Sequence, residues 1–476
     1  MSRFHTRRWL ALSVILTVMI ALVWPVRSDV AAQADDIDID DQTTAWLDDA
    51  EQSAVETFIV LVQDDGTQAR VDQVVTSGDK IAQRTEVHDL LSERAERNER
   101  ALSAVLGKQG LMDEVQELHA FQTVNGFSIT ASKAVIESLQ NWNLVESIEL
   151  DTTIQLHKPM DAEPLERIDA VEWNIAKIRA NRVRGQLDIK GRGVVVGGMD
   201  TGVRASHEAL RGNYKCKNAS SDAACWFDAV NGQVEPYDDN SHGTHTMGTA
   251  VGRKGIGVAP QAKWIACKAF SAFGGATSTD ILECFDFFLA PGGDPANAPD
   301  VVINSWGSSN GSATTYQQAV TNWVNAGIYP SFSNGNSGPS CGTVGSPASF
   351  SNSVGTGATD SNDTIASFSS RGSSPFGGIT KPDLSAPGAS VRSASNSSDT
   401  AYSVKSGTSM AGPHVSGLVA MLLEADPDLS INQLTQNMKQ NAKKISATGC
   451  SSSGTPNNIY GWGRIDALNS VRAALP

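Results

Sequence analysis

Several things are missing from this chain of 476 residues, and each gap removes a class of function. No apolar run of spanning length follows residues 9–24, a stretch itself shorter than the roughly 20 residues a transmembrane helix needs, so no stable membrane association is expected. No basic patch interrupts a composition of 52 Asp and Glu against 37 Lys and Arg, which removes nucleic acid as a partner. Cysteine is absent before Cys216, and none of the six cysteines stands at a zinc-ligand spacing. His242 and His245 are three apart with no Glu beside them, unlike the i, i+4 histidines of a zinc-protease helix.

What is present begins with Gly407, Thr408, Ser409, Met410, Ala411, Gly412, Pro413 and His414, which set one serine between a glycine turn and an apolar run reaching Leu423. That run is apolar almost all round, as in a helix buried in a core. A serine at the start of such a helix faces unpaired backbone N–H groups and the positive end of the helix dipole, both of which favour an oxyanion. Pro413 fits a first turn. A serine hydroxyl needs a histidine base, and the base needs a carboxylate to orient it.

Two further segments supply those groups. Residues 194–199 read as a buried strand that delivers Asp200 at its C-terminal edge, before the turn at Gly202. Residues 239–250 read as a polar loop entering a small-residue helix, with His242 at the entrance and His245 as a packed structural histidine. Residues 329–338 read as a strand ending in a glycine-rich turn, where the Asn336 amide is placed to donate to an oxyanion beside the Ser409 N–H.

With Asp200, His242 and Ser409 in that order, the chain resembles the subtilisin-like serine peptidases over about residues 160–476. The resemblance implies that Asp200 orients, His242 is the base, Ser409 attacks and Asn336 stabilises the oxyanion. It further implies a substrate held as an extended strand between two backbone edges, one at Ser305, Trp306 and Gly307 and the other at Ser333, Asn334 and Gly335. Gly345 lies at the floor of the primary pocket, and the absence of an acidic residue from 343–347 points to large apolar or aromatic side chains rather than Lys or Arg. Trp306 departs from the small or aliphatic residue common at its position. No cofactor is required for the chemistry. Asp383 matches the family's weaker calcium site, where the ion would be structural, or is an aspartate on a surface turn. The uninterrupted run 248–257 leaves out the family's tighter calcium loop.

Strands at 194–199, 264–268, 301–306 and 328–333 alternate with helices at 242–251, 279–289, 314–326 and 409–424. That alternation predicts an α/β fold, a doubly wound and mostly parallel sheet with helices on both faces. Residues 1–34 read as a signal peptide, basic to Arg8, apolar over 9–24 and ending in Ala32, Gln33 and Ala34. Residues 35–157 hold 25 acidic side chains against 8 basic ones. They read as a disordered acidic tail to Asp49, then a strand at 57–62, a helix at 81–106, strands within 122–131, a helix at 134–141 and a strand at 145–150. This order is similar to the small α+β, ferredoxin-like inhibitory propeptide of the family. The catalytic domain then runs over 158–476, and the bond that frees it is expected near Leu156, His157 or Lys158.

All six cysteines fall in that catalytic part, and an even count in an exported chain favours disulfides. Of the 15 connectivities open to six cysteines, the preferred set joins Cys216 to Cys225, Cys267 to Cys284 and Cys341 to Cys450. The expected protein is a secreted, extracellular, monomeric serine endopeptidase with protein and peptide substrates and its own propeptide as intramolecular inhibitor. The alternative is an inactive homologue that binds extracellular proteins, a reading that intact Asp200, His242, Asn336 and Ser409 disfavour.

Overall fold

Two adjacent glycines set the centre of the fold. In the strand Val195–Asp200, a Cβ on Gly197 would stand 2.8 Å from the Phe288 ring, and one on Gly198 would stand 2.8 Å from the Met247 methyl. Successive strand residues face opposite sides of a sheet, so the helices Ser278–Leu289 and His242–Val251 press onto its two faces. The computed structural model describes residues 37–74, 78–161 and 170–475; the signal-peptide reading of residues 1–34 lies outside them.

Seven parallel strands make the main sheet, in the order Leu384–Pro387, Val354–Thr359, Tyr329–Ser333, Val301–Asn304, Val195–Asp200, Lys263–Lys268 and Trp226–Asp228. Val195–Asp200 comes first in the chain and is flanked by Val301–Asn304 and Lys263–Lys268. The winding therefore reverses at this strand, and a crevice opens at its carboxyl end. The helix Thr408–Ala425 is buried almost throughout and packs against the strands of one half of the sheet. One continuous apolar cluster fills the space between sheet and helices.

Three strands of this sheet escaped the sequence reading. Trp226–Asp228 is only three residues long, Val354–Thr359 is rich in small residues, and Leu384–Pro387 ends in proline. None presents a run of branched apolar side chains. The cysteines form three disulfides, Cys216–Cys225, Cys267–Cys284 and Cys341–Cys450.

The N-terminal lobe has its own core around Phe58, Leu102, Phe127, Ile136 and Ile148. Its sheet runs Asp38–Ile39, Val145–Leu150, Val55–Val62, Gly126–Ser132, Val115–Ala120, with the long helix Lys80–Gln109 and the shorter Lys133–Leu139 against it. Val115–Ala120 is a half-exposed edge strand, which is why its pattern was weak. The stretch expected to be a disordered tail is instead the strand Asp38–Ile39 and the helix Asp41–Asp49. Trp46 meets Phe58 edge-on at 5.0 Å, and that packing outweighs the acidic composition.

This lobe docks on the helices Ser278–Leu289 and Gln317–Asn325. The Asp286 carboxylate accepts the N–H groups of Gln122 at 2.9 Å and Thr123 at 2.7 Å, while Asp151 accepts the Ser278 N–H at 2.6 Å. A carboxylate at a helix N-terminus is favoured by the orphan donors there. No helix among the described residues is long and apolar enough to cross a membrane.

Candidate active site

Asp200 ends the strand Val195–Asp200 and is 2% exposed. One carboxylate oxygen accepts from His242 Nδ1 at 2.7 Å and from the Thr201 N–H at 2.8 Å; the other accepts from Thr246 Oγ1 at 3.1 Å. His242 opens the helix His242–Val251, preceded by Ser241 in the left-handed region at φ 87°. With Nδ1–H given to the carboxylate, Nε2 carries the lone pair, and it is buried without a hydrogen-bond partner.

Asp238 braces the loop between these residues. Its carboxylate accepts from Thr201 Oγ1, from the N–H groups of Asn240 and Ser241, and from both N–H and Oγ1 of Thr244. Lys268, fully buried, donates to Thr201 O at 3.0 Å, Phe270 O at 2.8 Å and Asp239 at 2.7 Å.

Ser409 is the second residue of the helix Thr408–Ala425 and is buried. Its Oγ donates to Ser305 O at 3.0 Å, not to His242, while Ser305 Oγ donates back to Ser409 O at 2.9 Å. Pro413 explains the second bond. It stands in the second turn rather than the first, four residues after Ser409, and its missing N–H releases the Ser409 carbonyl from the helix ladder. Asn336 Oδ1 accepts from the Thr408 N–H at 2.9 Å and Oγ1 at 2.8 Å. That turns Nδ2 toward Gly407, where a Cβ would stand 3.3 Å from it.

A peptide runs through this crevice, and it is the chain's own. Thr153–Gln155 pairs antiparallel with Gly275–Thr277, and the Leu156 N–H donates to Gly274 O at 2.8 Å. The His157 imidazole then lies between two glycines, its Cε1 3.3 Å from where a Cβ on Gly307 would be and 3.7 Å from one on Gly345. Beyond Lys158 and Pro159, Met160–Asp161 pairs antiparallel with Ser406 and Lys405, just before Ser409. Burial first, and then the neighbouring His242, pull the His157 pKa down from 6.5 to about 4.

The structure redraws several sequence expectations. Gly307 and Gly345 both lie beside the His157 ring, and the edge that pairs with Thr153–Gln155 is Gly275–Thr277, not Ser333, Asn334 and Gly335. Those three are held by Trp306 O at 3.5 Å, Ser370 O at 2.8 Å and Thr408 Oγ1 at 3.2 Å. The missed edge had a signal, a Gly-Gly-Ala-Thr run just past the apolar strand Lys263–Lys268. The Trp306 ring is fully buried and sits among Phe270, Phe285, Tyr316 and Phe332.

Asp383 offers neither a calcium site nor a surface turn. It is 7% exposed, with Lys381 Nζ at 2.7 Å on one oxygen and Lys439 Nζ at 2.8 Å on the other. The Gly355 N–H donates to it at 2.9 Å as well. Lys381 also donates to Ser353 O at 2.9 Å, so a built-in ammonium takes the oxygens a cation would use. Its neighbours hold the Asp383 pKa below the ordinary value despite the burial. No group of three His, Cys, Asp or Glu among the described residues is arranged to hold a metal ion. His245 is buried, with Nε2 3.1 Å from Val391 O.

Residues 191–463 match the subtilase family, Peptidase S8. Bacillopeptidase F of Bacillus subtilis (strain 168) is 38% identical over 418 residues; these cover 82% of this chain but only 29% of that protein's length. The M-protease of Shouchella clausii (strain KSM-K16) is 31% identical over 363 residues, 75% of this chain and 82% of the relative. Subtilisin Savinase of Lederbergia lenta is 32% identical over 307 residues, 64% of this chain and 99% of the relative.

Proposed function

The chain belongs to the subtilase family, and from that premise we propose that it is a secreted serine endopeptidase made as a self-inhibited zymogen. The observation that carries this reading is the uncut segment 153–161 through the crevice, paired at both ends. Leu156 is paired on one side of Ser409, Met160 on the other, and the His157 side chain fills the pocket between Gly307 and Gly345. The bond presented is His157–Lys158, and residues upstream of it form the inhibitory propeptide.

The chemistry follows from the positions. Ser409 Oγ leaves Ser305 O and turns to the free Nε2 of His242, which takes its proton as Oγ attacks the carbonyl carbon. The Asp200 carboxylate stabilises the imidazolium that forms. Negative charge on the carbonyl oxygen is met by the Ser409 N–H in the first helical turn and by Asn336 Nδ2. Collapse expels the new amine, which takes the proton from His242, and water then hydrolyses the acyl-enzyme.

A pocket that takes a flat, uncharged imidazole between two glycines supports a preference for aromatic and other large neutral side chains. Strand pairing through backbone groups supports broad selectivity beyond it. Disulfides throughout the catalytic part support an oxidising destination. Purified wild-type protein should cleave a mixed peptide library after large neutral residues. Ser409→Ala should lose about 10⁶-fold in kcat, the loss known for the nucleophile of subtilisin itself. Equal turnover by the two proteins would refute the assignment.

A further inference from the structure

The helix Lys80–Gln109 carries an arginine to the far end of the main sheet. Arg84 is 5% exposed, and its guanidinium donates to Ala298 O at 2.9 Å, Pro299 O at 3.1 Å and the Asp300 carboxylate at 3.1 Å. The other Asp300 oxygen accepts the N–H of Val195 at 3.0 Å, at the start of the strand that ends in Asp200. At about 3.3 Å per residue this strand puts the arginine seat on the order of 17 Å or more from the catalytic carboxylate. Two carbonyls and a carboxylate around one planar group suit the fork of a guanidinium better than an ammonium.

The charge distribution makes this placement informative. Residues 35–157 hold 25 acidic side chains against 8 basic ones, so general attraction to an acidic chain does not hold them in place. Yet two of those 8, Lys80 and Arg84, lie at this one spot, where Lys80 lines a crevice with Asp300 and Asp428. Gln83, on the same helix, donates to Asn325 O at 2.6 Å.

We propose that Ala298, Pro299 and Asp300 form a guanidinium-binding site remote from the cleft, that its ligand is Arg84 of the same chain, and that its occupancy sets how long the propeptide stays bound after cleavage. The proposal rests on the zymogen reading above. Once the His157–Lys158 bond is cut, the propeptide is held by a product end in the cleft, by the Asp151 and Asp286 contacts beside it, and by Arg84 at the opposite end of the sheet. A ligand held at several places rebinds at one while the others persist, so loss of one shortens the lifetime of the complex. Truncating one member of a buried, charge-assisted contact acts mainly on the dissociation rate.

The test compares full-length wild-type, Arg84→Ala and Arg84→Lys precursors, following bond cleavage by N-terminal analysis and activity on a chromogenic peptide. Cleavage should keep a half-time within about twofold of wild type in all three. The delay between cleavage and full activity should shorten by about tenfold or more in Arg84→Ala, and by less in Arg84→Lys, which keeps the charge without the fork. Normal cleavage with an unchanged delay in Arg84→Ala overturns the anchor and leaves the zymogen reading intact. If Arg84→Ala does not accumulate as a folded chain, Arg84→Lys decides, and a wild-type delay there overturns the anchor. A wild-type precursor that shows neither cleavage nor delay removes the zymogen reading itself.

Discussion

Asn336 is aimed by neighbours that take no part in proton transfer. Because Oδ1 is fixed by two donors of Thr408, Nδ2 has one direction left, toward the turn that carries Ser409. Asn336→Leu should therefore lower kcat by about 10² to 10³ with little change in KM, the loss seen when subtilisin is deprived of its side-chain oxyanion donor. Steady-state kinetics checks this, and an unchanged kcat would take Asn336 out of the oxyanion site. His157 makes a pH prediction. Its pKa is depressed in the cleft, from 6.5 to about 4, so the bound form carries fewer protons than the released form between those values. Grip on the cleft is thus full above about pH 6.5 and weakens as pH falls toward about 4, by at most about tenfold per pH unit for one proton. Release of the cleaved propeptide should accelerate over that window, and His157→Phe should flatten the profile; a wild-type rate independent of pH from 7 to 4 would contradict it. Asp200, His242, Asn336 and Ser409 were legible because each sits in a short motif whose residue types fit one chemistry. The partners of Ser305 and Trp306 were not, because they come from segments ten to more than a hundred residues away, and nothing in the local pattern marks Lys381, two residues before Asp383, as buried against it.

Among the elements, the seam between the edge strand Leu384–Pro387 and its neighbour Val354–Thr359 is braced by a single ammonium. Lys381 is fully buried and joins Ser353 O to Asp383, which in turn holds the Gly355 N–H and Lys439 on the helix Ile431–Asn441. Removing one member of a buried ion pair leaves its partner uncompensated, at a cost of about 3 to 5 kcal/mol. Lys381→Met in a Ser409→Ala background should lower the denaturation midpoint accordingly, while calcium and its chelators leave the wild-type midpoint unmoved. A midpoint that rises with calcium would show that the ammonium does not replace the ion. The helix Ser278–Leu289 and the strand Val145–Leu150 were readable from periodicity, since one face is apolar, while His242–Val251 was readable from its run of small residues. Gly275–Thr277 was not read, because its role lies in backbone groups and its only mark in the sequence is the short Gly-Gly-Ala-Thr run.

At the scale of the whole molecule, the order of elements predicted the doubly wound sheet and the lobe that precedes it, but not how the two meet. That meeting rests on Arg84, Asp151 and Asp286, whose charges look like ordinary surface residues in the sequence. The Cys341–Cys450 bridge closes a sequence separation of 109 residues, so by loop-closure entropy it stabilises the fold by about 4 to 5 kcal/mol. The paired change Cys341→Ser with Cys450→Ser, again in Ser409→Ala, should lower stability by that order in a denaturant titration, and no loss would mean that the unfolded chain gains little freedom. The central claim is that the segment 153–161 lies across the triad as the first substrate. Its most direct test follows the purified full-length precursor over a hundredfold dilution series, with N-terminal sequencing of the products. The account predicts a new N-terminus at Lys158, a rate independent of concentration, and an intact chain in Ser409→Ala. Cleavage of pure Ser409→Ala at that bond, or a wild-type rate proportional to concentration, would contradict it.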